Sequence, residues 1–387
     1  MDIRRFTAFS AACVMLASCT AGCAGKSDDS AEDMRDITTM ELVRDMGIGI
    51  NLGNTFESCG DWIDSSSVSN FERGWGSPLI TEEIIKGYAD CGFGVLRVPV
   101  AWSNMMDMDT YQIDQSYIDR VKEVVGWAID DGMYVIMNIH WDGGWWDGFP
   151  TQKEQCMERY RAIWTQLCEN FGSFSDKLMF ESLNEEGGWS ELWDRYSGSE
   201  EGKAESYALL GEINQEFVNI VRSSGGNNEK RHLLIAGYNT DVDLTCDDMF
   251  VLPDDPALRY AVSVHYYTPS TFCILDKDAS WGKAKSTWGS PRDYTELNGY
   301  MDKLKERFID QGIPVIVGEY GAVATANKTD ETIRKYNTAV TEAMYSRGIC
   351  PVLWDTTGTF YDRTECRFID QQMLDEIMAV KQGGKDE

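Results

Sequence analysis

Positive charge is scarce in this sequence. Its 387 residues contain 35 Lys and Arg against 64 Asp and Glu, which gives a formal net charge of −29. A surface this acidic repels the phosphates of nucleic acids and of anionic membranes, so we expect neither as a partner. The balance instead suits a protein that acts on a neutral or cationic substrate.

Metal-binding patterns are also missing from the sequence. The chain has three His, and eight of its 11 Cys are scattered beyond the N-terminal region without a CxxC pair. Such spacing does not resemble a zinc site. We therefore expect no metal and no cofactor. Cys91 and Cys350 lie beside predicted strands, and we expect both to be buried thiols.

Long apolar runs are absent, and the apolar segment near the N-terminus is too short to span a bilayer as a helix. Residues 1–18 have the basic start and apolar core of a secretory signal peptide. The tetrapeptide LASC, ending at Cys19, resembles the lipobox of bacterial lipoproteins, with Cys23 as the second candidate for lipidation. We expect an exported protein, held at the bacterial cell surface by this lipid or otherwise secreted.

No Pro-rich linker or low-complexity stretch divides residues 37–380, so we predict one domain there. Residues 19–36 are polar and acidic, which is typical of a flexible tether, and residues 381–387 form a polar tail. Within the domain a unit recurs that consists of a helical stretch, a Gly and an apolar run. The glycines that can end these helices in the left-handed conformation are Gly92, Gly132, Gly312 and Gly348.

Eight apolar runs predict strands that begin near residues 46, 95, 134, 178, 232, 260, 313 and 349. The runs that follow the four glycines are apolar on both faces, as buried parallel strands are. Helical patterns separate most of the strands, although the fifth interval is short and its helix is doubtful. One pattern with helical spacing consists of Ile118, Val121, Val125 and Ile129.

Eight alternating units of this kind predict an α/β fold, a single (β/α)8 TIM barrel. An open, doubly wound sheet is the alternative. Such sheets usually carry a Gly-rich phosphate loop after the first strand, and GINLGNT is not the GxGxxG pattern. The barrel is therefore the preferred prediction.

Polar and aromatic residues end almost every predicted strand, where the active site of such a barrel forms. Glu185 follows the fourth strand and Glu319 ends the seventh, so the barrel would place them on opposite sides of one cleft. Glycosidic bond cleavage needs two such carboxyl groups, one protonated and one ionised. Their mutual proximity would drive their pKa values apart.

Seven motifs lie in the order typical of one family and cover about residues 40–375. They are GINLGNTFE, LRVPVAW, MNIHW, FESLNE, SVHYYTP, VIVGEYG and PVLWD. In these motifs the chain resembles glycoside hydrolase family five, the former cellulase family A, and its endoglucanase-like branch in particular. The resemblance implies a retaining endo-β-1,4-glucanase that hydrolyses β-glucan polysaccharides by double displacement. A monomer is expected.

The resemblance also implies roles for individual residues. Glu185 matches the acid/base and Glu319 the nucleophile, while Arg97 matches the arginine that orients the nucleophile and keeps it ionised. Asn184 matches the residue that hydrogen-bonds the sugar 2-hydroxyl. The remaining matches hold the sugar or the glutamates, with Trp354 as the aromatic platform; they are His140, His265, Tyr267 and Trp354.

Two positions depart from the family pattern, and several tryptophans are left over. Glu186 stands where the family usually has Pro, and we expect it in the loop or at the rim. Trp141 follows His140 where many members have a second His. Glu181 shares a strand face with Glu185 and needs a buried partner, for which Arg97 or a neighbouring polar group is our candidate. Candidates for stacking against sugar rings are Trp75, Trp141, Trp145, Trp146 and Trp281.

Three other functions remain open at this point. The same machinery can act on xyloglucan, mixed-linkage glucan, xylan or mannan. A catalytically decayed barrel could serve as a surface protein that only binds glycans. A metal-dependent barrel hydrolase is the third, but these typically carry a His-x-His pair at the first strand, and this sequence has none.

Overall fold

Eight parallel strands close into a barrel at the centre of the molecule. In this computed structural model, which describes residues 34–322, 325 and 327–383, each strand pairs with the next and the eighth pairs with the first. The strands are β1 Gly49–Asn51, β2 Val95–Val98, β3 Tyr134–Asn138, β4 Leu178–Glu181, β5 Leu233–Ala236, β6 Tyr260–Tyr266, β7 Val315–Tyr320 and β8 Cys350–Leu353. The predicted (β/α)8 barrel is confirmed, and the open sheet is excluded.

Most of the helices lie in the connections between strands, whereas the first precedes β1 and the last follows β8. The helices are α1 Thr39–Met46, α2 Val68–Gly74, α3 Glu82–Asp90, α4 Gln115–Asp130, α5 Lys153–Phe171, α6 Lys203–Ser223, α7 Val242–Thr245, α8 Ser270–Cys273, α9 Pro291–Arg307, α10 Asp330–Tyr345 and α11 Gln371–Gly383. Between β5 and β6 the α-helix is the four-residue α7, preceded by a 3-10 turn at Tyr238–Thr240, which fits the short interval. A small antiparallel hairpin, β9 Tyr361–Asp362 and β10 Arg367–Phe368, follows β8.

Glycines end the connections that lead into four of the strands. Gly92, Gly132, Gly312 and Gly348 all have positive φ, between 75° and 93°. This is the left-handed region, which costs glycine little and lets the chain reverse from a helix into a buried strand. The glycine signal in the sequence therefore marked real helix ends.

The barrel interior is apolar near the amino ends of the strands. Strand residues such as Val95, Met179 and Ala261 form one buried cluster with Leu42 and Met46 of α1. Side chains two positions further along a strand point to the same face, so each strand continues this inward row toward its carboxyl end.

At the next level of that row the interior becomes polar. Arg97, Glu181 and Ser263 occupy these positions, and all three are fully buried. A polar layer inside a barrel must be satisfied by its own hydrogen bonds, and this layer forms the base of the site described below.

Several predictions concern residues outside the described range. The signal peptide, Cys19, Cys23 and most of the tether lie there, as do residues 384–387 of the tail. Among the described helices none is both long and apolar enough to cross a bilayer. The eight cysteines of the described part are free thiols; Cys350 is buried as predicted, whereas Cys91 is only half-buried.

Candidate active site

Arg97 of β2 lies at the centre of the carboxyl end of the barrel and is fully buried. Its Nε donates to Glu181 at 2.8 Å and its Nη1 to Glu319 at 2.8 Å. Nη1 also donates to Asn51 at 3.0 Å, and Nη2 donates to the Asn184 side-chain oxygen at 2.7 Å. Burial opposes the charge of Arg97, but the two glutamates outweigh it and raise its pKa. Arg97 is therefore the fixed cation of the site.

The partners of Arg97 are held in turn by the barrel strands. The side-chain amide of Asn51 donates to the carbonyls of Gly318 and Leu353, which ties β1 to β7 and β8. The second oxygen of Glu181 accepts from the Ser263 hydroxyl at 2.8 Å. The partner that we expected for Glu181, Arg97, is confirmed.

Glu319 of β7 receives two donors. Its Oε1 accepts from Arg97, and its Oε2 accepts from the Tyr267 hydroxyl at 2.9 Å. Burial, together with the negative charges of Glu319 and Glu185, raises the pKa of Tyr267 well above its usual value, so this phenol keeps its proton and donates.

Glu185 lies across the cleft from Glu319 in the loop that follows β4. Its side chain is 47% exposed and its Oε1 lies 2.7 Å from His265 Nδ1. The same imidazole nitrogen lies 3.6 Å from Glu319, and one oxygen of each glutamate lies within 4.8 Å of the other. The barrel thus brings together two carboxyl groups that are 134 residues apart in sequence.

The pKa values of the two glutamates move in opposite directions in the free protein. Burial raises the pKa of Glu319 above its usual value, against the positive charges of His265 and Arg97. Burial also acts to raise the pKa of Glu185, but the hydrogen bond and charge of His265, with Arg97, outweigh it and lower that pKa.

His140 and Trp354, which follow β3 and β8, stack on each other. Their rings are nearly parallel, at 6°, with centroids 5.7 Å apart. His140 Nε2 lies 3.9 Å from Glu319, and its Nδ1 lies 3.3 Å from the side-chain nitrogen of Asn138. Burial lowers the pKa of His140 well below its usual value, and Arg97 and His265 act in the same direction, so His140 is neutral.

Glu186 lies in the loop after β4, one of the two places where we expected it, but it is not at an exposed rim. Its side chain is fully buried, and its Oε2 accepts from the backbone N–H of Asn184, while none of the described residues gives Oε1 a hydrogen bond. Burial raises the pKa of Glu186 well above its usual value, and the charges of Glu185 and Glu181 add to the effect. The side chain folds back over its own turn. Its place in a loop gave no indication of this burial.

The five tryptophans proposed for stacking differ in exposure. Trp281 is 59% exposed and Trp141 is 45% exposed, so both side chains are accessible to solvent. Trp75 and Trp145 are half-buried. Trp146 is 8% exposed and packs edge-on against Trp141, which leaves little of its ring for a sugar. The rim also carries Trp62, which is 75% exposed.

Two supporting carboxylates escaped the sequence analysis. Asp142 is buried and accepts from the backbone N–H and hydroxyl of Ser103 and from the indole of Trp145, each at 2.7 Å, and so fixes the aromatic loop. Asp355 is buried beside Trp354 and pairs with Arg363 at 3.7 Å. Their positions after strand ends were the available signal, since both follow an aromatic residue that we had singled out.

Glu185, His265 and Glu319 each offer one ligand atom, and these atoms lie within 4.8 Å of one another, close enough to surround a cation. Each already has a protein partner. In particular, the guanidinium of Arg97 contacts Glu319 and would repel a second positive charge. The donor set therefore fits a carboxylate pair held by a fixed cation better than a metal centre.

The model of the cellulase family, glycosyl hydrolase family 5, matches residues 56–359 of this chain. The chain belongs to glycosyl hydrolase family 5. Endoglucanase A of Ruminococcus albus is 35% identical over 357 residues, which are 89% of this chain and 93% of that protein. A xyloglucan-specific endo-beta-1,4-glucanase of Bacteroides ovatus is 34% identical over 351 residues, which are 86% of this chain and 68% of that protein.

Solved structures of family 5 share the whole barrel. A broad specificity endoglucanase from an uncultured bovine rumen ciliate has a TM-score of 0.81 and 34% identity to this chain. The matched region is 90% of this chain and 99% of that one. A lichenase of the family from Caldicellulosiruptor sp. F32 has a TM-score of 0.80 and 28% identity, and covers 91% of this chain and 97% of its own. This family 5 protein is accordingly a glycoside hydrolase.

Removing Glu181 tests how much the buried ion pair between Arg97 and Glu181 contributes to stability. We expect Glu181→Ala to lower the free energy of unfolding by about 3–5 kcal/mol, because it leaves a buried cation without one of its two counter-charges. Glu181→Gln keeps the volume and one acceptor, so its loss should be smaller. Urea unfolding measures both. The control is Glu212→Ala, which breaks a half-exposed pair with Lys153 and should cost about 0–1 kcal/mol; equal losses for both alanine variants would contradict this account.

Proposed function

We propose that this family 5 hydrolase is a retaining endo-β-1,4-glucanase that cleaves β-glucan by double displacement. The observation that carries the proposal is the approach of two carboxyl groups, since one oxygen of Glu185 lies within 4.8 Å of one of Glu319. Retaining glycosidases hold these groups about 5–5.5 Å apart, whereas inverting ones leave about 6.5–9.5 Å for a water molecule. The short spacing supports direct attack on the sugar by one carboxylate.

Glu319 is the proposed nucleophile. Its two oxygens accept from Arg97 and Tyr267, and donors of this kind stabilise the ionised form and aim its lone pairs. His140, whose Nε2 lies 3.9 Å from Glu319, is neutral and therefore does not form an ion pair with this carboxylate. These contacts hold the carboxylate in one orientation at the base of the cleft, as attack on an anomeric carbon requires.

Glu185 is the proposed acid/base. In the first step its carboxyl proton passes to the glycosidic oxygen as that oxygen leaves, and Glu319 forms the bond to the anomeric carbon. In the second step Glu185 takes a proton from a water molecule, which displaces Glu319 from the sugar. The half-exposed position of Glu185 suits both steps, because the leaving group and the water must reach it from solvent.

In the free protein the pKa of Glu319 is raised and that of Glu185 is lowered, which is the reverse of what a nucleophile and an acid need. Substrate binding is expected to change this order. Glu185 is half exposed, so a sugar in the cleft removes water from it and raises its pKa. Glu319 is already buried and loses little water. Binding therefore shifts the preference for the single proton toward Glu185, where the reaction needs it.

Asn184 and Trp354 are the proposed contacts for the sugar at the point of cleavage. The side-chain oxygen of Asn184 is occupied by Arg97, so its amide N–H groups are left to donate to a sugar hydroxyl. Trp354 presents a ring beside His140, and apolar contact with a sugar face is the usual role of such a ring. Trp141, Trp281 and Trp62 extend the exposed aromatic surface and support binding of a polymer.

Specificity for β-1,4-glucan is the preferred assignment within this machinery. The relatives include endoglucanases, a xyloglucan-specific enzyme and a lichenase. We expect hydrolysis of carboxymethylcellulose and barley mixed-linkage glucan to be faster than that of mannan, in a side-by-side reducing-sugar assay that also includes xyloglucan and xylan. Fastest release from mannan would contradict the assignment, and no release from any β-glucan would favour a protein that only binds glycans.

Azide distinguishes the two glutamates. Glu319→Ala should lose at least about 10²–10⁴-fold in turnover, and added azide should restore turnover with a product of inverted configuration, because azide attacks from the vacant side. Glu185→Ala should keep the first step on aryl glycosides with good leaving groups and give an azide product of retained configuration. The product configuration is read by NMR.

The control for that experiment is Glu191→Ala, which removes an exposed glutamate of the same loop region and should leave turnover unchanged. If azide produces the same configuration in both glutamate variants, the two roles have been assigned wrongly.

The pH dependence tests the effect of substrate on Glu185. Because bound sugar raises the pKa of this carboxyl, we expect the alkaline limb of kcat to lie at higher pH than the alkaline limb of kcat/KM. The limbs belong to the coupled pair of glutamates rather than to one residue. Coincident alkaline limbs would show that substrate does not shift the pair and would leave the observed pKa directions in conflict with the roles.

A further inference from the structure

A second buried cation lies at the carboxyl end of the barrel, outside the proposed catalytic set. Arg363, in the turn between β9 and β10, is 2% exposed. Its guanidinium donates at 2.8–3.1 Å to oxygens from several separate parts of the chain, which are the Tyr88 hydroxyl, the Thr55 and Ser77 hydroxyls and the Gly53 carbonyl. An arginine that draws in so many elements holds them in one arrangement.

Asp355 completes this cluster from the strand side. It directly follows Trp354 and lies 3.7 Å from Arg363. Its Oδ1 accepts from the backbone N–H groups of Phe360 and Tyr361 at 2.8 and 3.1 Å. Burial raises the pKa of Asp355 to about 6, while the positive charge of Arg363 acts in the opposite direction. The residue next to Trp354 is thus bonded to the hairpin that carries Arg363.

Gly53 connects the cluster to the ring of Trp354. Its N–H donates to the Asp355 carbonyl at 3.0 Å, and its own carbonyl accepts from Arg363 at 2.8 Å. A Cβ at this position would lie 2.6 Å from the Asp355 carbonyl oxygen and 3.2 Å from the edge of the Trp354 ring. The backbone of Gly53 therefore lies directly against the indole.

Trp354 is held at several points by these contacts. Its backbone N–H donates to the Tyr320 carbonyl at 2.9 Å, its ring lies parallel to His140, and its edge meets Gly53. Two of its immediate neighbours, Gly53 and Asp355, are also neighbours of Arg363. A change at Arg363 would therefore reach the plane of the indole through the Gly53 backbone and through the Asp355 side chain.

We propose that Arg363 is a positioning residue that fixes the plane of Trp354, through Gly53 and Asp355, for contact with the sugar at the point of cleavage. This inference rests on the platform role of Trp354 in the proposed function. Arg363 itself is 2% exposed, so we expect it not to contact substrate. Its effect on the reaction is expected to pass through Trp354, whereas a purely structural arginine would act on stability alone.

A double-mutant cycle separates these two roles. Arg363→Met is measured in the natural background and in the Trp354→Ala background, with kcat/KM on an aryl β-cellobioside as the readout. We expect a loss of about tenfold or more in the natural background, because small misplacement of a substrate contact is costly. In the Trp354→Ala background the same change should cost less than about twofold, since the platform is already gone. Arg363→Lys should recover part of the loss.

Arg231 supplies the matched control. It is also fully buried and donates to backbone carbonyls, among them that of Leu178 at the first residue of β4, at the opposite end of the barrel. Arg231→Lys should change kcat/KM by the same factor in both backgrounds. Thermal unfolding of every variant monitors the fold; if Arg363→Met does not fold, Arg363→Lys and Asp355→Asn are used in the same cycle.

The double-mutant cycle tests the positioning role of Arg363 separately from the platform role of Trp354. If Trp354→Ala lowers kcat/KM and the Arg363 effect is equally large in both backgrounds, Arg363 does not act through Trp354 and the inference is overturned. If Trp354→Ala leaves kcat/KM unchanged, the platform role in the proposed function is itself wrong. Coupling at Arg363 without coupling at Arg231 supports the inference.

Discussion

The buried guanidinium of Arg97 is the constraint from which the rest of the site follows. Removing a cation from water is costly, and the cost is offset only if counter-charges and hydrogen bonds surround it with good geometry. Arg97 makes four such hydrogen bonds, to Glu181, Glu319, Asn51 and Asn184, which come from three different strands and one loop. None of these acceptors can move without leaving a buried donor unpaired. The positions of Glu319 and Asn184, and so the geometry of the proposed chemistry, are set by that requirement.

The barrel adds a second constraint through its register. β6 and β7 pair regularly up to Val264, where the register shifts, and His265 then lies opposite Glu319. A shift of this kind re-aims the side chains that follow it. Here it brings the imidazole within 2.7 Å of Glu185 while keeping it 3.6 Å from Glu319. This irregular step between β6 and β7 thus places a single histidine beside two carboxyl groups.

Much of this arrangement could be predicted from sequence, because barrel topology turns strand ends into neighbours. Glycines after helices and apolar runs predicted the strands, and polar residues at the strand ends predicted which side chains would meet. The burial of Glu186 could not be predicted, since its carboxylate folds back onto the N–H of Asn184 within the same turn. Nor could the link from Arg363 to Gly53, which joins residues 310 apart through a hairpin without a sequence signature.

The closure of the barrel also has a consequence in time. Gly49 pairs with Val352, so the first strand of the barrel has no second neighbour until almost the whole chain has been synthesised. The hydrogen bonds from the Asn51 amide to Leu353 and from the Gly53 N–H to Asp355 likewise cannot form before these late residues have been synthesised. Contacts between such distant parts of a chain form late and slowly in folding. A growing or truncated polypeptide that lacks its eighth strand would carry both glutamates and still possess no working cleft.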